Sequence, residues 1–229
     1  MSPEALRRQV ADWVANLFRG YASSKGKVRW AEKTPDHSLE ISFLSELFPD
    51  ACFLHLVRDG RDVACSTAIL SEERRAVSQW HSDNLLLEDT EIVPNTLQNA
   101  ALRWKLWTER IEEALEGRNS LRLRYEDLIL SPEREVRRTM DFFGEKFEPA
   151  MLDYHRFEHD CPDWEWGTRD VKRAQSLTDR SVGRWKKQLS PEVISEMKET
   201  IGETLQRYRY PLSTVELLKN ELKNGRGDL

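Results

Sequence analysis

An arginine and a serine that could bind a phosphate follow an apolar run in the first third of the chain. Residues 51–57, Ala-Cys-Phe-Leu-His-Leu-Val, are apolar except for one histidine, and this pattern is typical of a strand buried on both faces of a parallel sheet. Ligands of open parallel sheets bind beyond the carboxyl ends of the strands. We therefore expect the guanidinium of Arg58 and the hydroxyl of Ser66, on the helix that follows, to hold an anion there.

These charged residues also allow an interpretation in which they only stabilise the fold. Lys33, in the segment Glu-Lys-Thr-Pro, would be a mobile positive charge at the end of a short strand expected over 27–31, near a bound anion. It could equally be a solvated lysine that pairs with Glu32 or Asp36. In the turn after residue 57, the four charged residues could pair with one another: Arg58, Asp59, Arg61 and Asp62.

Basic residues are concentrated in one window of the second half. Residues 168–187 hold seven basic and two acidic residues, in a chain whose net charge is −5. A basic segment with little periodicity could close over a multiply charged ligand, and a solvated loop is the alternative. The basic residues are Arg169, Lys172, Arg173, Arg180, Arg184, Lys186 and Lys187.

Several other kinds of site lack their sequence patterns. The five histidines show no spacing typical of a metal site, and no metal is expected. The three cysteines form no Cys-x-x-Cys pair, which argues against a disulfide framework and favours a reducing compartment. There is no Gly-x-Ser-x-Gly elbow, no Gly-x-Gly-x-x-Gly motif and no Walker phosphate loop.

Length and composition indicate a globular protein. The chain has 229 residues, of which 35 are basic, 40 are acidic and 39% are hydrophobic; the acidic balance argues against a general nucleic-acid-binding protein. No apolar run approaches the ~18–20 residues of a membrane span, and the first residues lack the apolar core of a signal peptide. We expect a cytoplasmic protein with a single domain over 1–229, in which 1–26 form an N-terminal helix and turn and 212–229 form a tail.

Helical and strand periodicities alternate along the chain, as in βα units. The expected strands are 27–31, 51–57 and 120–125, and together they predict helices around a small parallel sheet. Ser2, and Asp36 or Ser38, are expected to cap helices, and Gly117 and Gly144 to end them. The expected helices are 3–18, 39–47, 63–70, 94–116, 132–143 and 191–208.

Four segments between Trp30 and Pro211 carry a family resemblance when they are read together. They are W-x-E-K-T-P-x-H, L-F-P-D-A-C-F-L-H-L-V-R-D-G-R-D-V-A-x-S, R-Y-E-D-L-x-x-x-P and S-V-G-R-W-K-K-Q-L-S. In this order they resemble the sulfotransferases that use 3′-phosphoadenosine 5′-phosphosulfate (PAPS), and especially the bacterial and tyrosylprotein branch. The resemblance implies an α/β fold of the three-layer, P-loop-like type, with a small parallel sheet flanked by helices.

The resemblance also implies roles for individual residues. Arg58 and Ser66, eight positions apart as in the family, would bind the 3′-phosphate of the nucleotide. Tyr125 would line the adenosine pocket, and Arg184 would close over the nucleotide. Arg180 is a candidate substitute for a basic element that grips the 3′-phosphate in the cytosolic branch.

Two catalytic roles follow from the same resemblance. Lys33 would lie near the sulfuryl group and neutralise the charge that develops on the leaving oxygen. The cytosolic branch has Lys-Thr-His at this point, with the histidine as general base, whereas Pro35 occupies the third position here. His37 is the nearest imidazole and is the candidate base, with a structural role in the loop as the alternative.

The 5′-phosphosulfate loop of the family, of the type P-K-S-G-T-T, has no match before Lys33, and residues 20–25 do not resemble it. We therefore expect an N-terminally incomplete fold that binds the nucleotide but transfers negligible sulfuryl group until the upstream βα unit is restored. The implied reaction moves a sulfuryl group from PAPS to a hydroxyl or amine of a small molecule, carbohydrate or peptide. The alternative is an impaired nucleotide-binding or scaffolding remnant of the fold; a P-loop kinase is disfavoured by the spacing of Arg58 and Ser66.

Overall fold

The computed structural model describes residues 2–74, 97–157 and 179–212. Helices dominate the described chain, and two short strands connect to them. The elements in chain order are α1 (Pro3–Ser24), a 3-10 turn (Pro35–Leu39), α2 (Ile41–Leu47), β1 (Phe53–Val57), α3 (Gly60–Arg74), α4 (Leu97–Leu115), β2 (Ser120–Arg124), α5 (Tyr125–Leu130), α6 (Pro132–Phe143), a 3-10 segment (Pro149–Arg156), a 3-10 turn (Asp179–Ser181), α7 (Trp185–Gln188) and α8 (Pro191–Arg207).

Local sequence signals explain several helix ends. The hydroxyl of Ser2 accepts a hydrogen bond from the Ala5 N–H at 3.2 Å, so the expected cap of α1 is confirmed. Gly144 adopts φ +68° at the end of α6, which confirms the expected left-handed stop. The prediction that Asp36 or Ser38 caps the next helix is wrong, because both residues lie inside the 3-10 turn that precedes α2.

β1 and β2 pair in parallel as a two-stranded sheet, as the sequence predicts. The strand expected over 27–31 does not form, and the Val28 side chain is 96% exposed. Trp30 explains the conformation of this segment, because its ring stacks on Phe18 at 4.5 Å and meets Phe48 edge-on at 5.9 Å. Aromatic packing therefore replaces strand pairing there.

The prediction that β1 is buried on both faces is also wrong. Leu54 and Leu56 are 40% and 50% exposed, whereas Val57 is buried. Alternate side chains of a strand point to opposite faces, and the described elements cover the face that carries His55 and Val57. His55 lies 3.3 Å from a carboxylate oxygen of Glu112 on α4.

The chain divides into two compact units, Met1–His55 with Trp107–Leu121 and Leu56–Leu106 with Arg122–Leu229. In the first unit, α1 packs against α2 around buried apolar residues. The single domain expected over 1–229 stays a prediction, and residues 213–229 of the expected tail lie outside the described residues. No helix in the described part of the chain is long and apolar enough to span a membrane.

The second unit has an apolar core beneath the start of α3. A Cβ atom on Gly60 would lie 2.3 Å from an atom of the Trp104 ring, so the first turn of α3 rests directly on that ring. This contact sets the position of the turn between β1 and α3. The buried core residues are Val57, Ala64, Ala100, Ala101, Trp104, Met197, Ile201, Leu205, Tyr208 and Tyr210.

Candidate functional site

Three segments of the second unit meet at Arg58, the first residue after β1. Its Nη2 donates a hydrogen bond to the main-chain oxygen of Ser181 at 2.5 Å. Its guanidinium carbon lies 5.1 Å from the centre of the Tyr125 ring, at the start of α5. Its Nε is buried and has no hydrogen-bond partner among the described residues. Arg58 therefore retains an unused charged donor next to an aromatic ring.

Arg184 also contacts the turn that contains Ser181. Its Nη2 donates to the hydroxyl of Ser181 at 3.2 Å, so Ser181 contacts two guanidinium groups. Burial and the Asp62 charge raise the pKa of the Cys65 thiol to about 11, while the positive charges of Arg184 and Arg58 act in the opposite direction. Both arginines therefore act electrostatically on one turn of α3.

Asp59 and Arg61 behave as the structural alternative predicts. The Asp59 carboxylate accepts from the Arg61 N–H at 2.9 Å and from its guanidinium at 2.9 and 2.6 Å. This buried pair caps α3 and closes the turn. Arg58 has no carboxylate partner of this kind in the described residues, and its Nη2 donates instead to the neutral main chain of Ser181.

Asp62 connects α3 to the segment that carries Arg184. Its two carboxylate oxygens accept the main-chain N–H groups of Gly183 at 2.7 Å and Trp185 at 2.9 Å. Burial raises the pKa of Asp62, and these two hydrogen bonds oppose that effect. The guanidinium carbon of Arg61 lies 3.7 Å from the centre of the Trp185 ring, which adds a cation–π contact between the same elements.

Glu126, on α5, accepts hydrogen bonds from two other segments of the second unit. Its carboxylate accepts from the Asp59 N–H at 2.9 Å and from the Tyr210 hydroxyl at 2.8 Å. Burial raises the pKa of Glu126, while both hydrogen bonds favour the ionised form. Asp62 and Glu126 were not predicted as site residues, although both lie just beyond strand ends. Their position in Arg-Asp-Gly-Arg-Asp and Tyr-Glu-Asp-Leu is the signal that could have revealed them.

Lys33 and His37 lie in the first unit, in and before the 3-10 turn. Lys33 is exposed. The Nδ1 atom of His37 lies 2.5 Å from Oε2 of Glu32, and the Thr34 hydroxyl donates to Oε1 of Glu32 at 2.5 Å. Partial burial would raise the pKa of Glu32, but these two hydrogen bonds hold it below its ordinary value. Glu32 is thus hydrogen-bonded to Thr34 and His37. The contact with His37 involves Nδ1 of the ring and not Nε2.

Ser66 and Arg180 are the remaining residues that the sequence predicts for the nucleotide site. Ser66 is half-buried on α3, and Arg180 is exposed in the turn Asp179–Ser181. The structure thus brings together Arg58, Tyr125 and Arg184. Residues 168–178 of the basic window lie outside the described residues, whereas the described part of that window includes the turn and α7.

Comparison with known proteins gives a consistent family. The model of the sulfotransferase family matches residues 2–149 of this chain. The chain is 28% identical to the omega-hydroxy-beta-dihydromenaquinone-9 sulfotransferase of Mycobacterium tuberculosis over 212 residues, which cover 91% of this chain and 49% of that protein. It is 20% identical to the protein-tyrosine sulfotransferase A of Caenorhabditis elegans, covering 90% of this chain and 51% of that protein. The chain thus spans about half the length of these relatives.

Solved structures show a shared fold. The sulfotransferase domain from the Synechococcus PCC 7002 olefin synthase matches with a TM-score of 0.54 and 19% identity, covering 90% of this chain and 70% of that domain. The sulfotransferase domain from the curacin biosynthetic pathway matches with a TM-score of 0.52 and 18% identity, covering 76% and 61%. The α/β fold expected from the sequence is confirmed by these matches.

Proposed function

Because the chain belongs to the sulfotransferase family, we propose that it transfers a sulfuryl group from PAPS to an acceptor hydroxyl or amine. The proposal rests on one observation: Arg58 and Arg184, from two segments far apart in the chain, both hydrogen-bond to Ser181, with the Tyr125 ring beside Arg58. Two guanidiniums and an aromatic ring suit a nucleotide that carries both a phosphate and a base.

The residues present fit the 3′-phosphate of such a nucleotide. The Arg58 Nε is a buried charged donor without a partner in the described residues, and a phosphate oxygen would satisfy it. Arg184 contributes a second fork of donors, and Ser66 is the candidate hydroxyl. Arg180, exposed on the turn before Arg184, is a further candidate for the same phosphate.

Tyr125 has the position of an adenosine-binding residue. It opens α5 directly after β2, and its half-buried ring faces the guanidinium of Arg58. An aromatic ring held by a cation on one side can stack on a base with little further ordering. Glu126, the next residue, is anchored by Asp59 and Tyr210 and therefore fixes the start of α5.

When bound, PAPS would supply an activated sulfuryl group, and two residues of the first unit have side chains suited to catalysis of its transfer. Lys33 would provide positive charge to neutralise the leaving oxygen. His37 would accept the proton of the acceptor through the ring nitrogen that Glu32 does not contact. Glu32 orients this imidazole, in the way that a carboxylate orients a catalytic histidine in hydrolases.

The names of the relatives suggest the acceptor class. One relative is named for a hydroxylated menaquinone and another for protein tyrosine, and both acceptors present a hydroxyl group. We therefore favour a hydroxyl-bearing acceptor for this chain.

Single-turnover transfer tests the proposal, with the protein in excess over donor labelled in the sulfuryl group and with a panel of hydroxyl and amine acceptors. Transfer from PAPS should be slow, because the sequence has no match to the family's 5′-phosphosulfate loop. Adenosine 5′-phosphosulfate, which lacks the 3′-phosphate, should react far more slowly still at the same concentration. Equal rates with both donors would contradict the assigned role of Arg58 and Arg184. Absence of donor binding in the same samples would contradict the proposed function as a whole.

A further inference from the structure

Asp62 is a buried carboxylate whose two oxygens both bind the main chain of a distant segment. Its side chain is fully buried, with an exposed fraction of 0%. The N–H groups it accepts belong to Gly183 and Trp185, the two neighbours of Arg184. The main chain is therefore held immediately before and immediately after Arg184.

The contacts around this carboxylate restrict the segment further. Gly183 adopts φ +67°, which favours glycine and turns the chain toward α3. Trp185 is buried beneath the guanidinium of Arg61, which Asp59 holds in place. The charged groups that act on Asp62 from the packed elements are Asp59, which disfavours its ionisation, and Arg58, which favours it.

All of these contacts are made within the chain itself. The Asp62 hydrogen bonds fix the main chain on both sides of Arg184, and Ser181 then lies between the Arg184 and Arg58 side chains. A binding site that is ordered in advance does not lose conformational entropy when the ligand arrives.

We propose that Asp62 is a positioning residue, which holds residues 181–185 so that Arg184 and Arg58 converge on the 3′-phosphate of an adenine nucleotide before that nucleotide binds. The proposal rests on the proposed function. It separates two tasks within Arg-Asp-Gly-Arg-Asp. Arg58 contacts the ligand, and Asp62 acts through the main chain beside Arg184.

The substitution Asp62→Asn tests this assignment with almost no change in size. The amide group keeps one acceptor oxygen and introduces a donor, so one of the two N–H groups loses its partner. We expect the dissociation constant for adenosine 3′,5′-bisphosphate to rise roughly tenfold or more, with little change for adenosine 5′-phosphate. The control is Asp141→Asn on α6, where the side chain is exposed and both affinities should be unchanged.

Hydrogen exchange provides a second measurement, whose main result comes from the wild-type protein. In the ligand-free wild-type protein, the amides of Gly183 and Trp185 should already be protected, and Asp62→Asn should accelerate their exchange. If these amides exchange freely until the bisphosphate is added, residues 181–185 are not ordered in advance and the proposal is wrong. This result is informative even if Asp62→Asn does not fold.

The outcomes separate this proposal from the proposed function. If the wild-type protein does not bind the bisphosphate, the proposed function fails and the positioning role fails with it. If the wild-type protein binds and Asp62→Asn binds with the same affinity and the same preference for the 3′-phosphate, only the positioning role is overturned. Equal losses for both nucleotides would also overturn it, because they would indicate a general loss of structure.

Discussion

Arg58 donates a hydrogen bond to the main-chain oxygen of Ser181 at 2.5 Å, and this contact joins the end of β1 to the turn before α7. The acceptor is neutral, and the charge of Arg58 also acts on the buried Asp62 carboxylate. An anion that enters between Arg58 and Arg184 would therefore meet two positive groups that are already oriented.

The substitution Arg58→Ala should selectively weaken binding of adenosine 3′,5′-bisphosphate. Hydrogen bonds to a charged group contribute ~1.5–3 kcal/mol, which corresponds to roughly a 10- to 150-fold rise in the dissociation constant. Adenosine 5′-phosphate, which lacks the 3′-phosphate, should bind nearly as well to the variant as to the wild type. Calorimetric titration of both nucleotides measures the difference.

Arg110→Ala, at an exposed position on α4, is the matched control for loss of one positive charge. It should leave both affinities unchanged. If Arg58→Ala weakens both nucleotides equally, Arg58 has a structural role and does not contact the 3′-phosphate.

The substitution Gly60→Ala should destabilise the second unit. The added Cβ would lie 2.3 Å from the Trp104 ring, and this ring belongs to the buried core. Overpacking of this kind costs ~1–3 kcal/mol, which urea unfolding can measure. Gly20→Ala on α1 is the control, because a Cβ there meets nothing within 4 Å and alanine should stabilise the helix by ~0.5–1 kcal/mol. Equal effects of the two substitutions would contradict the close contact with Trp104.

Glu126→Gln should remove a pH-dependent contribution to stability. Burial raises the pKa of Glu126 in the folded protein above its ordinary value of 4.5, so the folded state favours the protonated carboxyl. This stabilisation is complete below the unfolded-state pKa and is lost as the pH rises through the folded-state pKa. The free energy of unfolding of the wild type, relative to Glu126→Gln, should therefore fall as the pH is raised from about 4.

Urea unfolding of the wild type and of Glu126→Gln across this pH range measures the difference between their free energies of unfolding. Glu148→Gln is the control, at an exposed position. A difference that does not change with pH would show that folding does not shift the pKa of Glu126.

The substitution His37→Ala should slow single-turnover transfer if His37 is the general base. Loss of a general base typically reduces the rate by ~10²–10⁴-fold. Glu32→Gln should reduce the rate less, because it leaves the imidazole but weakens the contact that orients it. Nucleotide affinity should be similar in both variants, and a normal transfer rate in His37→Ala would leave His37 with a structural role in the 3-10 turn.

Local features of the fold could be predicted from the sequence because they depend on neighbouring residues. Ser2 and Gly144 act within one helical turn of the groups that they cap or terminate. The parallel pair β1 and β2 and the basic residue after β1 follow from short apolar runs and their ends. The strand expected over 27–31 failed because its pattern does not reveal that Trp30 packs between two other aromatic rings.

The supporting contacts of the site could not be predicted in the same way. Asp62 binds Gly183 and Trp185, and Glu126 binds Tyr210, from positions far apart in the chain. A buried carboxylate and an exposed one have the same sequence signature, and only the fold determines which one is buried. The roles of Arg58, Ser66, Tyr125, Arg180 and Arg184 in nucleotide binding stay predictions.

Residues 20–25, which do not resemble the family's 5′-phosphosulfate loop, lie at the end of α1. Ser23 and Ser24 lie in the last turn of α1, and Lys25 follows them. The carboxyl end of a helix carries partial negative charge, so this segment is poorly suited to hold a phosphosulfate group.

Calorimetric titration of the wild-type protein with adenosine 3′,5′-bisphosphate tests the central claim most directly. The arrangement of Arg58, Arg184 and Tyr125 predicts saturable binding at one site, at least roughly tenfold tighter than binding of adenosine 5′-phosphate. The difference should shrink as the salt concentration rises, because charge provides the preference. Absence of binding, or equal affinity for the two nucleotides at low salt, would contradict the assignment of this site to a 3′-phosphorylated nucleotide.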